Sequence, residues 1–361
     1  INVKNIINDN GTITGNGEIH LTAAQSLIND GSIMHIGNLR LENGDFINKN
    51  GELNLISLSA NVDHFINDAG KLQVQKTIDF EVQYLKNINK GTIVVGKQIS
   101  IKAENVHNEA GSLLASDDTI IIQTDALQNN DSEIFAKELQ ITAKDIDNSS
   151  GTLTSLGNLS VKAENLDNTK GKIQANKDVT LISQNQIINH EGIIATGEKV
   201  TLETTHLQNE KGLINADSAK ITASTIDNRE GEIGAHKTLE ITANSFDNQQ
   251  GKVLAESVNL TIDQLDNRQK GEVLASKDLH LVGANLHNKT GIISAENVTL
   301  SVENIHNKQG EISAENELVL TGKNLDNRDG LIASNQNLTI SNDTTQNASG
   351  QILAGKDNQI N

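Results

Sequence analysis

Apolar and polar residues alternate along this chain in short runs, and the runs return at a fixed spacing. One unit reads Leu166-Asp167-Asn168-Thr169-Lys170-Gly171-Lys172-Ile173-Gln174-Ala175, with Val179-Thr180-Leu181 after it. It returns as Ile226-Asp227-Asn228 through Gly231, Ile233 and Ala235, with Leu239 and Ile241, and again as Ile305-His306-Asn307 through Gly310, Ile312 and Ala314, with Leu318 and Leu320. Alternation with period two marks strands, and the polar, glycine-containing breaks mark turns. Each unit of about twenty residues predicts three short strands. No stretch has the length or the 3.6-residue periodicity of a helix.

The register is set by asparagine: Asn8, Asn29, Asn48, Asn67, Asn87, Asn108, Asn129, Asn148, Asn168, Asn189, Asn209, Asn228, Asn248, Asn267, Asn288, Asn307, Asn327 and Asn347, always 19 to 21 residues apart. An internal period of this size means stacked repeats. The prediction is an all-β fold, a β-solenoid of about 18 coils of about 20 residues, each coil burying its inner face only against its neighbours. At ~4.8 Å per coil such a rod is roughly 85 Å long. A leucine-rich repeat shares the period but needs a helical segment and a different Leu-to-Asn spacing, whereas Asn-x-x-Gly turns separate the strands here. The repeated Asn is expected at a tight corner with left-handed φ and ψ, its amides hydrogen-bonding from coil to coil. The Gly that follows it is expected to supply a second turn.

The pattern is uneven. Alanine stands four residues after the turn position at Ala115, Ala136, Ala175, Ala216, Ala235, Ala255, Ala275, Ala295, Ala314 and Ala354, whereas His35, Leu55, Val74 and Val95 hold the equivalent places earlier. Phe46, Phe65, Phe80 and Tyr84 also fall early. Residues 1–100 therefore read as less regular, aromatic-containing coils with a wider section, and 101–361 as regular coils. Just before the Asn, most units carry Asp, His or Gln, but the first four carry Ile7, Ile28, Ile47 and Ile66. In register these form an apolar strip on the outside, a candidate interaction surface; a wider coil would instead turn them inward.

Composition narrows the reading. Only 2% of the residues are aromatic and 35% are hydrophobic, so the interior is narrow and filled by small aliphatics. Proline, which cannot donate to a β-ladder, is absent. There is no cysteine, which excludes disulfides, thiol chemistry and zinc-thiolate sites. A net charge of −18 argues against nucleic acid or an anionic membrane surface as a partner, and no apolar run is long enough for a membrane span. The repeat is already under way at Ile6, so the chain is expected to be a piece of a longer protein.

Candidate chemistry is sparse. Catalysis on a polysaccharide needs carboxylates converging ~5–9 Å apart in a groove. The best column is Asp227, Asp247, Asp266, His287, His306 and Asp326, with Arg229, Arg268 and Arg328 nearby to offset its charge. A flat column offers no pocket, so neither catalytic nor metal-binding residues are assigned, and no cofactor is expected. His64 and His190 read as scattered and solvated. No phosphate loop, nucleophile elbow or HExxH motif is present, and the outward positions Ser160, Thr180, Thr201, Lys220, Glu240, His280 and Val319 form no threonine array.

The unit Leu/Ile-Asp-Asn-x-x-Gly-x-Ile-x-Ala followed by Leu-x-Leu-x-Ala resembles the filamentous haemagglutinin repeat, best at Leu166–Ala175, Ile226–Ala235 and Leu265–Ala275. The resemblance covers nearly the whole chain and is weaker in the first five coils. It implies a right-handed parallel β-helix in a large secreted or cell-surface exoprotein, exported by two-partner secretion through an outer-membrane transporter. It further implies a stalk that presents or forms a receptor-binding region, of a contact-dependent growth inhibition toxin or else a host-cell adhesin, with a cell-surface receptor as partner. The family repeat carries no catalytic residues to transfer; a carbohydrate-active β-helix enzyme is the remaining alternative.

Overall fold

The computed structural model describes residues 2–360, in which every regular element is a β-strand. The chain divides into two compact units, 1–183 and 184–361. Each is a parallel β-solenoid, and together they contain about 18 turns of about 20 residues. Pairing follows one rule: each strand lies beside its equivalent one repeat away. In the first unit Asp45–Lys49 pairs in parallel with Ser26–Asp30 and with His64–Asp68, residue for residue. In the second, Ala219–Asp227 pairs likewise with Leu239–Asp247.

In-register stacking turns the sequence period into columns of one chemistry. The column two residues before the Asn holds Phe46, Phe65, Leu85, Val106, Leu127 and Ile146 in the first unit. In the second it holds Leu207, Ile226, Phe246, Leu265, Leu286 and Ile305. All are buried. Phe46 stacks on Phe65 at 4.8 Å, and Phe65 meets the edge of Phe80 at 4.7 Å. The ring of Phe80 stands in register with the small Ala60. Burial of each Ile or Leu contributes ~1.5–3 kcal/mol, all of it dependent on the neighbouring coils.

Three details depart from the sequence expectation. The three-strand coil is distinct only in places, as in Leu113–Ser116, Thr119–Gln123 and Ala126–Gln128. Elsewhere strands run on through a corner, and Lys252–Asp266 is one continuous element; the pairing there resumes after a register shift between Ala255 and Ser257. The left-handed residue is not the repeated Asn. It lies two positions later, at Asn50 (φ 50°), Ser150 (φ 57°) or Gln250 (φ 58°). Its N–H is tied to the equivalent turn of the next coil, as Ser150 N–H to the Thr169 carbonyl at 2.9 Å. The Gly that follows serves space and not φ. A Cβ on Gly251 would overlap the Asn228 carbonyl oxygen and lie 2.7 Å from Asn248 Oδ1.

The third departure is a slip of one residue. Where glycine itself takes the left-handed position, at Gly31 and Gly111, Ser32 and Ser112 fill the tight place after it. The inward column is therefore Ile36, Leu55, Val74, Val95 and Ser116. His35 and Ala115 lie one position earlier, in the neighbouring column.

Candidate functional site

The asparagines form a continuous hydrogen-bonded ladder in each unit. In the first, the Nδ2 of each donates to the Oδ1 of the next, from Asn8 through Asn29, Asn48, Asn67, Asn87, Asn108, Asn129 and Asn148 to Asn168, at 2.7–2.8 Å. In the second, the ladder runs the same way from Asn189 through Asn209, Asn228, Asn248, Asn267, Asn288, Asn307 and Asn327 to Asn347. The other amide hydrogen goes to turn carbonyls, as from Asn248 to Gly251 at 3.3 Å and Glu272 at 3.1 Å. Asn48 through Asn67 and Asn209 through Asn327 are fully buried. Each amide thus satisfies its neighbour inside an apolar core, and the tight glycine beside it leaves no space for a ligand.

The isoleucine column is in register: Ile7 beside Ile28, Ile28 beside Ile47, Ile47 beside Ile66. Ile7 is 69% exposed, and the other three, stacked on one another, are half-buried. The column continues as Lys86 and His107, so the apolar strip ends there. It alternates along the strands with the buried Leu27, Phe46 and Phe65 and so lies on their outward side.

The acidic column is also in register, Asp227–Asp247–Asp266–His287–His306–Asp326, but its charges are tied down. Arg229 grips Asp227 with Nε to Oδ1 at 2.9 Å and a terminal nitrogen to Oδ2 at 2.6 Å. Arg268 holds Asp266, and Arg328 holds Asp326, in the same way. Gln249 bridges Asp247 and Asp266 at 3.1 and 3.2 Å. Burial pushes the Asp227 carboxyl up, but the hydrogen bonds from Arg229 outweigh it and hold the group below the usual carboxylate range. Burial, helped by His306, pushes the His287 imidazole down; the two rings meet edge to face at 5.0 Å. The column is not wholly flat, because a depression of 290 Å³ opens beside Asp247, Asp266 and His287. Among the described residues no three side chains of His, Asp or Glu converge as a metal site. His64 and His190 are not merely solvated: His64 lies 2.6 Å from Asp45 and stacks on Tyr84, and His190 sits between Glu191 and Glu210.

A feature that the sequence reading missed is a groove of 600 Å³ in the first unit, crossing five successive coils. It is lined on one side by the column that contains His35, Asn54, Gln73 and Val94. The signal lay in the glycines: Gly37 and Gly96 interrupt a column whose other members are Ile56 and Gln75, and so leave gaps in one face.

The profile of the haemagglutinin repeat matches the chain seven times, over residues 1–76, 69–131, 134–191, 185–226, 212–261, 255–329 and 322–361. No curated protein and no solved structure matches it. No helix among the described residues is long and apolar enough to cross a membrane.

Proposed function

Because the chain belongs to the haemagglutinin repeat family, whose members are secreted or cell-surface exoproteins, we propose that it is the receptor-facing stalk of a contact-dependent growth inhibition toxin. Family membership by itself supports an adhesin-type exoprotein stalk. As such a stalk the protein reaches the cell surface through a partner outer-membrane transporter. Its regular coils, from about residue 101, act as spacer, and the coils up to about residue 100 bear the recognition surface. Its role is structural and binding, a reading supported by the pairing of Asp227, Asp266 and Asp326 in the acidic column with Arg229, Arg268 and Arg328.

The observation that carries the reading is the isoleucine strip Ile7–Ile28–Ile47–Ile66, exposed at Ile7 and half-buried beyond it, on a column that turns polar at Lys86 and His107. A contiguous apolar strip on a polar surface marks a contact. Labelled protein is added in parallel to intact Gram-negative bacteria and to epithelial cells. The toxin reading expects saturable binding to the bacteria, lost when all four isoleucines are replaced by serine with the far-ultraviolet spectrum unchanged. Saturable binding to epithelium instead makes the protein a host-cell adhesin. Undiminished bacterial binding by the quadruple variant removes the strip from the account.

A further inference from the structure

We propose that the groove across the early coils is a binding site for an uncharged oligosaccharide lying along the stacking direction. This does not rest on the stalk reading or on the isoleucine strip, which occupies a different column. The groove's 600 Å³ falls within the ~300–1,000 Å³ usual for small-ligand sites. Because it crosses the coils, equivalent side chains recur along it every ~4.8 Å. An elongated ligand would meet the same kind of contact again and again.

The lining decides the class of ligand. In a chain with 21% charged residues, no Asp, Glu, Lys or Arg lines the groove. Its polar groups are the amides of Asn16, Asn54, Gln73 and Gln75 and the imidazole of His35. An amide offers both donors and an acceptor, which suits hydroxyl groups that are themselves donor and acceptor. Glu52 holds Asn54 through its Nδ2 at 2.7 Å, which fixes the amide and leaves its Oδ1 to accept. The side chains of Gln73, Gln75 and His35 are exposed and have no hydrogen-bond partner among the described residues. Between them Ile56 and Val94 supply apolar surface, Val94 being 37% exposed, against which the C–H face of a sugar ring can pack.

The shape has a backbone cause. A Cβ on Gly37 would lie 2.6 Å from the Gly17 carbonyl oxygen, and one on Gly96 would overlap that of Gln75. Close approach of successive coils therefore requires glycine at these places, and the missing side chains open the groove. Competing ligands fit less well. An extended peptide cannot add as a strand across the groove, because the lining strands of four of its five coils are already paired on both sides. A phosphate or sulfate would find no Lys or Arg to pair with.

Isothermal titration with cellohexaose, maltohexaose and chitohexaose, and with a heparin-derived hexasaccharide, tests the proposal on the whole chain. The expected result is saturable binding of at least one uncharged hexasaccharide. It should weaken at least tenfold in Gln73→Ala/Gln75→Ala, exposed positions whose loss leaves the fold intact by circular dichroism, and stay unchanged in the four-isoleucine variant. No binding of any uncharged hexasaccharide, binding of the heparin fragment alone, or full binding by the double variant overturns it. None of these results depends on whether the protein recognises whole cells.

Discussion

Replacing Asn248 by alanine breaks the ladder at one rung in the middle of the second unit. The amide accepts from Asn228 Nδ2 at 2.8 Å and donates to Asn267 Oδ1 at 2.8 Å and to the Gly251 and Glu272 carbonyls. After the change Asn228 Nδ2 still reaches the carbonyls of Gly231 and Lys252, at 3.3 and 3.2 Å, and is only partly deprived. Asn267 Oδ1 is left bare in a side chain that is fully buried. An orphaned buried polar group costs ~1–3 kcal/mol and a lost hydrogen bond ~0.5–1.5 kcal/mol. The expected total is about 3 kcal/mol, with the void of the missing amide included. Stability in a solenoid is a sum of coil and nearest-neighbour contributions, so the loss should stay local. Hydrogen–deuterium exchange followed by mass spectrometry reads this directly. Amides of residues 226–273 should exchange roughly 100-fold faster, at a factor of ten per ~1.4 kcal/mol of local opening, with the rates in residues 20–120 unchanged. Acceleration of less than about fivefold would refute the idea that the ladder satisfies the core amides in series.

Two glycines make a paired test of space against flexibility. Gly251→Ala should destabilise by more than about 2 kcal/mol in denaturant titration because its Cβ overlaps the Asn228 carbonyl, whereas at Gly234 the nearest atom is 3.4 Å away and alanine should be neutral or stabilise by up to about 1 kcal/mol. Equal effects at the two sites would discredit the packing argument. Asn342 has both side-chain polar atoms buried without a partner, so Asn342→Val should raise the melting temperature, by about 1 kcal/mol of stability; a lower melting temperature would point to an unseen role for the amide. Carboxyl titration by NMR should place Asp227 below the ordinary range and move it up in Arg229→Gln. Since the folded-state value is the lower one, the stability from this contact is present above the unfolded-state pKa and fades as pH falls through the folded-state value. A titration unaffected by Arg229→Gln would rule out that cause.

The repeat period, the alternation within it and the asparagine every 19 to 21 residues were sufficient to specify a parallel solenoid, most of its inward positions, the ladder and the alignment of Ile7, Ile28, Ile47 and Ile66. The reason is that in-register parallel pairing copies the sequence directly into space: residues one period apart must become neighbours. What a period cannot convey is how the chain closes each coil, since closure is a non-local balance between three corners. Only the tertiary structure showed that Ser150 or Gln250, not the ladder Asn, takes the left-handed conformation, and that Gly251 is required by the approach of the Asn228 carbonyl. The same holds for the slip that puts Ile36 and Ser116, in place of His35 and Ala115, into the inner column. It holds too for the groove, which exists because glycines at Gly37 and Gly96 stand where successive backbones come too close for a side chain.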